Sequence, residues 1–524
     1  MSPTNALWRS EMIQRSVRSL SALATLLLAH AAHAQADAEG AEADKPAASE
    51  TEASSDANAK ASVSLGASAD ASAKPNAAAA EAKAPSTEQP ESTEEDEGLT
   101  ARWKGWSVQL YGFAALNVMH DSTQSFGTAS GNTILQRVGT FRGNNNQLQF
   151  TARDSRFGLH INAPETEWVK ASATVEADFG AVLPTEVNEQ TSFTQAPLRM
   201  RHYYLSAKTP IVDLLAGQYH DLFGWGGSGF YPSTLAFLGI TGEVYHRQPQ
   251  FRVSKTLGGK AVDFEIAVAA ARPVQKGSGI PDLEAGLRLA INGWKGIGQQ
   301  GYGRPQLNPL SIGVSSIGRR FEVAQFVEFP GGSNTENGYG FAANAFIPVI
   351  PAKSARNRAN ALSLTGEFST GTGISDMYNS DLTGGALFPV LPNPQQRSQP
   401  DNPPPIFPQN IDSGIVTYDA NGKLQTIDWQ GFVVGAQYYL PVLQGRIWIS
   451  GNYSQVKSGN IVKLTPIPAR SSVYSKAQYI DGNLFVGLTD QLQVGYSFQL
   501  VQQTFGDGVE AKNYRNEGAI HFFF

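Results

Sequence analysis

Gln491-Leu492-Gln493-Val494-Gly495-Tyr496-Ser497-Phe498-Gln499-Leu500 places Leu492, Val494, Tyr496, Phe498 and Leu500 on one face and Gln491, Gln493, Ser497 and Gln499 on the other. A period of two belongs to an extended strand. The pattern recurs with Ala171, Ala173, Val175, Ala177 and Phe179 against Lys170, Ser172, Thr174, Glu176 and Asp178, and again with Val262, Phe264, Ile266 and Val268 against Asp263 and Glu265. From Trp103 to the end of the chain such segments follow one another. Alternation alone admits both a soluble sandwich and a membrane barrel, since either needs one apolar and one polar face.

Number and loop length separate the two. Sixteen segments read as strands: 107–119, 147–163, 168–179, 198–208, 212–222, 246–257, 261–271, 283–292, 310–319, 337–348, 360–370, 427–440, 445–457, 474–488, 491–504 and 513–524. An even set of antiparallel strands of about ten residues, with short turns on the periplasmic side and longer loops outside, is what a transmembrane barrel requires. Ala163 to Glu167, Thr209 to Ile211, Gly258 to Lys260, Pro441 to Gln444 and Thr489 to Asp490 are the short connections; 120–146, 180–197, 223–245 and 371–426 are long. The connection 293–309 is long where a short turn belongs, which a pair of misassigned strands nearby would explain. The loop 371–426, with Pro392-Asn393-Pro394 and Pro403-Pro404-Pro405, reads as exposed and variable. The predicted fold is all-β: a transmembrane antiparallel barrel of about 16 strands, preceded by a disordered or partly helical extension.

Composition agrees. Of 524 residues only 16% are charged and 10% are aromatic, against roughly 25% charged in ordinary soluble proteins. Cysteine is absent, which removes disulfides and thiolate chemistry together. Arg9, Arg15 and Arg18 precede the apolar run Leu20–Ala29, and Ala32-His33-Ala34 offers an A-x-A cleavage position, so residues 1–34 read as a secretory signal, with Met12 an alternative start. Residues 35–100 carry fifteen acids, four lysines and no aromatic side chain. Such a segment cannot bury enough apolar surface to order itself, and it reads as a periplasmic spacer or as Ala-rich helix that contacts partners. The extension is more negative than the chain's total of −6, which leaves 101–524 slightly basic, with no run that suggests nucleic acid.

The chain closes on Ile520-His521-Phe522-Phe523-Phe524. On a strand Ile520, Phe522 and Phe524 share one face, suited to an aromatic girdle in lipid. The ending resembles the targeting signal of outer-membrane barrels, with Phe522 and Phe524 as its aromatic residues. Ser155-Arg156-Phe157-Gly158-Leu159, Leu215-Ala216-Gly217-Gln218-Tyr219, Tyr231-Pro232-Ser233-Thr234-Leu235 and His246-Arg247-Gln248-Pro249-Gln250-Phe251-Arg252, in that order, resemble porins of the DcaP type over roughly residues 105–260. The resemblance implies a sixteen-stranded homotrimeric barrel in the outer membrane of a Gram-negative bacterium, with the extension in the periplasm and a third outer loop folding inward to narrow the pore. That loop is 223–245.

With the apolar faces toward lipid, Arg156, Arg252 and Arg288 point into the lumen and could form a positive wall, unless Glu265, Asp263 and Glu284 neutralise them. Arg199 and Arg201 also face inward, beside Glu176 and Asp178, where pairing across the hairpin is the competing role. In the constriction loop Trp225, Phe230 and Tyr231 either form an apolar slide for organic solutes or fasten the loop to the wall, and Glu243 is its one charge. Gly224-Trp225-Gly226-Gly227-Ser228-Gly229 lacks the Lys and Ser or Thr of a phosphate loop and reads as a turn. His202, His220 and His246 lie on neighbouring strands without an acid or thiolate at ligand spacing, so no metal or cofactor is expected.

These features predict passive diffusion of small hydrophilic solutes, anions if the arginines are unpaired, through a barrel contacting outer-membrane lipid. A structural or adhesive barrel is the alternative. A barrel enzyme is the third reading, although no nucleophile elbow stands beside a histidine.

Overall fold

The structure is a computed structural model and describes residues 99–524 except 132, 182–195, 238, 276–277, 299–305, 325–332, 379–381, 383–411, 413 and 420–422. The expected signal at 1–34, most of the acidic segment 35–100 and the Pro-rich stretches of the longest loop lie outside the described residues.

Among the described residues sixteen strands close into one antiparallel barrel. They are β1 Trp106–Asp121, β2 in two pieces, Gln147–Thr151 and Arg156–Asn162, β3 Lys170–Asp178, β4 Arg199–Lys208, β5 Asp213–His220, β6 Arg247–Gly258, β7 Val262–Ala271 and β8 Asp282–Gly298. The second half comprises β9 Gln306–Ala324, β10 Ser333–Ile350, β11 Leu362–Thr372, β12 Asp428–Tyr439, β13 Ile447–Ser458, β14 Tyr474–Gly487, β15 Leu492–Phe505 and β16 Glu510–Phe523. Each pairs with its neighbour, and β16 returns to β1 in the register Phe113↔Phe523 to Asp121↔Arg515. Closure removes the unpaired edges that an open sheet would expose to lipid.

The seam has a second component. β16 covers only the outer half of β1; below it, Leu99–Trp103 hairpins back through Lys104 and Gly105 and pairs Leu99↔Leu110 to Trp103↔Trp106. Gly105 sits at φ 85°, a left-handed turn position open to glycine. Between the two, the Gly112 N–H donates to the Phe524 carbonyl at 3.1 Å and the Phe524 N–H donates back at 3.0 Å.

The two faces of the wall differ in chemistry. Leu116, Phe157, Val175, Leu205, Ile266, Leu287, Phe341, Val434, Ile480 and Phe498 are exposed on the outside, whereas Asn117, Thr174, Glu176, Arg201, Arg319, Asn344, Asn452, Gln499 and Arg515 are buried within. Outside apolar and inside polar is the arrangement that only lipid makes favourable, because apolar surface left in water would cost about 25 cal/mol per Å².

Three sequence expectations need correction. The strand 147–163 is broken by a turn at 152–155, where Asp154 receives a hydrogen bond from Asn117 Nδ2 (2.6 Å). β8 runs on to Gly298 and β9 begins at Gln306, so the connection 293–309 is mostly strand. A register shift between Ile291 and Lys295 bulges β8 and breaks its alternation, which hid the continuation. The described end of the loop 371–426 is not exposed: Val416–Tyr418 and Leu424–Thr426 form a small hairpin whose Ile415, Val416, Tyr418 and Leu424 pack with Phe321.

Candidate functional site: the lumen and its inward loop

The segment between β5 and β6 turns into the barrel. Its base is clasped where the Asp221 N–H donates to the His246 carbonyl (3.2 Å) and His246 Nδ1 meets Asp221 Oδ2 at 2.5 Å. Burial lowers the His246 pKa, but the Asp221 charge and hydrogen bond outweigh it and leave the imidazole more basic than usual. Phe223–Trp225 makes one 3₁₀ turn with Gly224 at φ 77°, and Gly227 and Gly229 also adopt positive φ. The glycine-rich run is thus a turn at the loop's entry.

From there the loop crosses the lumen. Leu222, Trp225 and Phe230 pack on Ala267, Ala269 and Phe346, and Trp225 Nε1 donates to the Val314 carbonyl at 2.9 Å. On the far side the Ser233 carbonyl accepts from Ser450 Oγ (2.7 Å) and Asn452 Nδ2 (2.9 Å), and Thr234 Oγ1 donates to Asp481 (2.6 Å). Leu235 packs with Tyr439, Trp448 and Phe485, and Phe237 with Phe113 and Phe523. Returning, the Val244 N–H donates to Glu367 at 2.7 Å. Trp225 and Phe230 are wall fasteners, buried against the strands they touch. Glu243 is buried and accepts from the Ile240 N–H (3.0 Å); burial and the neighbouring Glu367 push its pKa well above the usual carboxylate range.

Between loop and wall lies a cavity of about 140 Å³ lined by Arg156, Glu176, Arg201, His202, Tyr231 and Tyr245, among others. Arg201 Nε donates to Glu176 at 2.6 Å and its Nη1 to Asp178 at 2.9 Å, while Arg199 holds Asp178 bidentately (2.9 and 2.6 Å). Arg156 Nε stands 3.7 Å from Glu176, and Tyr111 OH donates to the other oxygen of that carboxylate at 3.2 Å. The remaining direction of Arg201 is taken by Tyr245, whose hydroxyl accepts from Arg201 Nη2 (3.0 Å) and Arg247 Nη1 (3.3 Å). Burial raises the Tyr245 pKa, but the charges of Arg201, Arg247 and Arg156 overcome it and bring it to about 7. Three guanidiniums therefore surround two carboxylates in this cluster, and Arg247 joins them through the Tyr245 hydroxyl. Tyr231 OH lies 3.1 Å from His220 Nδ1, and the His202 and His220 rings are 4.9 Å apart, packed among Tyr204, Tyr219 and Tyr231.

Arg156, Arg199 and Arg201 thus meet, Arg252 reaches the edge of the same cavity, and Arg288 pairs apart from it. Arg288 pairs with Glu265 on β7 (2.8 Å), its direct register partner. Arg252 donates to Gln250 (3.0 Å) and to the His220 carbonyl (2.6 Å), with its guanidinium over Tyr219. Arg247 was not singled out in the sequence: it opens β6, where strand phase is weakest, although it stands in the motif that carries the resemblance. Arg319 is held by Asp282 at the start of the neighbouring strand β8 and by Asp376 in a loop, and Arg515 by Asp121 across the closing seam, pairings that depend on register, loop path and closure. Phe522 is half-exposed on the outer face with Ile520, and Phe524 is partly covered at the seam.

No protein-family model matches the chain, and no curated relative matches it either. Among solved structures the fold is similar to that of the outer membrane channel DcaP of Acinetobacter baumannii, at a TM-score of 0.55 and 18% identity, over 82% of this chain and 99% of that one. Salmonella typhi OmpF, in its complex with daunomycin, follows at 0.44 and 10%, over 81% and 100%.

Proposed function

We propose that the protein is a porin of the outer membrane of a Gram-negative bacterium, which lets small hydrophilic solutes diffuse passively and favours anions. One observation carries the reading: a closed barrel with a lipid-compatible exterior encloses a charged lumen, and a loop crosses that lumen beside a cluster with more guanidiniums than carboxylates. Selectivity of a water-filled channel is set by charge at its narrowest level. Arg156, Arg199, Arg201 and Arg247 outnumber Glu176 and Asp178, and burial beside Glu367 disfavours a negative charge on Glu243. Glu176 and Asp178 offset two of these four charges, mainly those of Arg199 and Arg201, so the positive excess that an entering anion meets centres on Arg156 and Arg247. Arg252 and Arg288 are secondary in this reading, since Glu265 cancels Arg288. On the same reading Trp225, Phe230 and Tyr231 set the position of the constriction, Phe522 and Phe524 direct assembly, the acidic extension lies in the periplasm, and three copies associate.

The test is single-channel recording of the purified protein in a planar bilayer, with reversal potentials under a salt gradient. Stepwise openings with anion preference are expected. Openings with cation preference would discard the arginine field and keep the porin, and folded protein without openings would favour a structural or adhesive barrel.

A further inference from the structure

The outer face of β12 to β16 carries a second chemical boundary. Reading across the strands in register, Val434, Tyr453, Ile480, Leu500 and Tyr514 form one row, and the rows below it descend through Ile449, Leu484 and Tyr496 to Leu492 and Phe522. From Leu500 to Leu492 is eight residues, about 27 Å along the strand, or roughly 20 Å of membrane depth once the usual tilt of about 40° is allowed for. That nearly fills an apolar band of about 25 Å. The two rows above it are polar from β13 to β16. Gln455, Gln478, Gln502 and Lys512 form one, which ends against Phe432 on β12; Gln430, Lys457, Lys476, Thr504 and Glu510 form the next.

Their orientation is fixed by their neighbours. Val456, Ala477, Tyr479, Val501, Gln503, Ala511 and Asn513 are buried inside, so the alternate residues Lys457, Gln478, Gln502 and Lys512 face outward. Lys457 and Lys476 are direct cross-strand partners, a placement in which like charges repel. Among the described residues no carboxylate lies within ion-pair distance of Lys457, Lys476 or Lys512, and Glu510 stands at the far outer corner. Two lysines in direct register above the apolar band, flanked by glutamines and resting on aromatic and aliphatic side chains, suit an anion that is itself attached to acyl chains.

We infer that this band binds a phosphate-bearing glycolipid of the outer leaflet, with Lys457 and Lys476 sharing one phosphate, Lys512 and the glutamines contacting the sugar headgroup, and the acyl chains lying on Ile480, Leu500 and Tyr514. The inference rests on the outer-membrane reading above but not on conduction.

The test is native mass spectrometry of the full-length protein in detergent, mixed with diphosphoryl lipid A or with the same lipid stripped of its phosphates. Wild type retains the diphosphoryl form at least tenfold more than the dephosphorylated form, and the triple variant Lys457→Gln, Lys476→Gln, Lys512→Gln loses that difference. Equal retention of both lipids by the wild type overturns the proposal whatever the variant does. So does a triple variant that holds diphosphoryl lipid A like the wild type, or one whose change is a loss of oligomer with lipid retention intact, which would make a second copy the occupant. Bilayer conductance of the same preparation is recorded separately, so that failure of the channel reading and failure of lipid binding are told apart.

Discussion

Trp225 Nε1 donates to the Val314 carbonyl at 2.9 Å, and the indole lies flat enough on the wall that a Cβ added at Gly313 would come within 2.7 Å of its Cδ1 and one at Gly286 within 2.8 Å of its Cζ2. Two strands therefore keep glycine where the inward loop begins, and one ring sets where the loop crosses.

Trp225→Ala removes that fastening. Truncating a buried tryptophan costs about 3 kcal/mol or more, here spent on local release of the loop because the barrel ladder is untouched. Single-channel conductance is expected to rise and become noisier, and Gly313→Val should do the same by displacing the ring. Unchanged conductance in both variants would show that the entry of the loop does not govern the pore.

Arg201→Gln leaves Glu176 and Asp178 with less compensating charge in a buried setting. Breaking one partner of such a pair costs roughly 3–5 kcal/mol, so the variant should unfold at lower urea concentration. Its reversal potential should move toward cation preference. A variant that is less stable but equally anion-selective would place the selective field elsewhere, with Arg252 the next residue to test.

Tyr245 makes selectivity depend on pH. With its pKa near 7, the phenol is neutral below that value and becomes phenolate above it, which adds a negative charge beside Arg201 and Arg247. Anion preference should therefore fall as the pH rises from 6 to 8, and Tyr245→Phe should flatten the dependence. A wild-type profile that is flat, or rises with pH, would refute this role.

Glu243 and Glu176 should behave oppositely despite lining one cavity. Burial beside Glu367 disfavours the charged form of Glu243, so Glu243→Gln should shift the reversal potential far less than Glu176→Gln. Glu176 is ion-paired, so Glu176→Gln unmasks positive charge and should strengthen anion preference. A shift in the Glu243→Gln variant as large as that of Glu176→Gln would mean that both carboxylates are charged.

Deleting Phe524 removes a backbone pair with Gly112 where the last strand meets the first. The expected outcome is a lower yield of heat-modifiable, folded barrel in the membrane fraction; equal yield would confine the terminal signal to Phe522.

Much of this was legible in the residues. Side chains alternate along a strand, so Leu492 to Leu500 and Val262 to Val268 announced which face meets lipid, and with it that Arg156, Arg199, Arg201, Arg252 and Arg288 turn inward. The same logic failed where alternation is interrupted, at the bulge between Ile291 and Lys295 and at the turn that splits β2 after Thr151.

Strand periodicity is a local property, written by each residue and its second neighbour, and the sequence by itself therefore determined the barrel class, the strand number and the two faces. Pairing is not local. Whether Arg288 meets Glu265, whether Tyr245 returns from a long loop to sit between Arg201 and Arg247, and whether Lys457 stands opposite Lys476 depend on register and on the path of the loop through the lumen. Those distances exist only once the barrel has closed, because a two-residue slip between strands would keep every side chain on its own face and alter every charge pair.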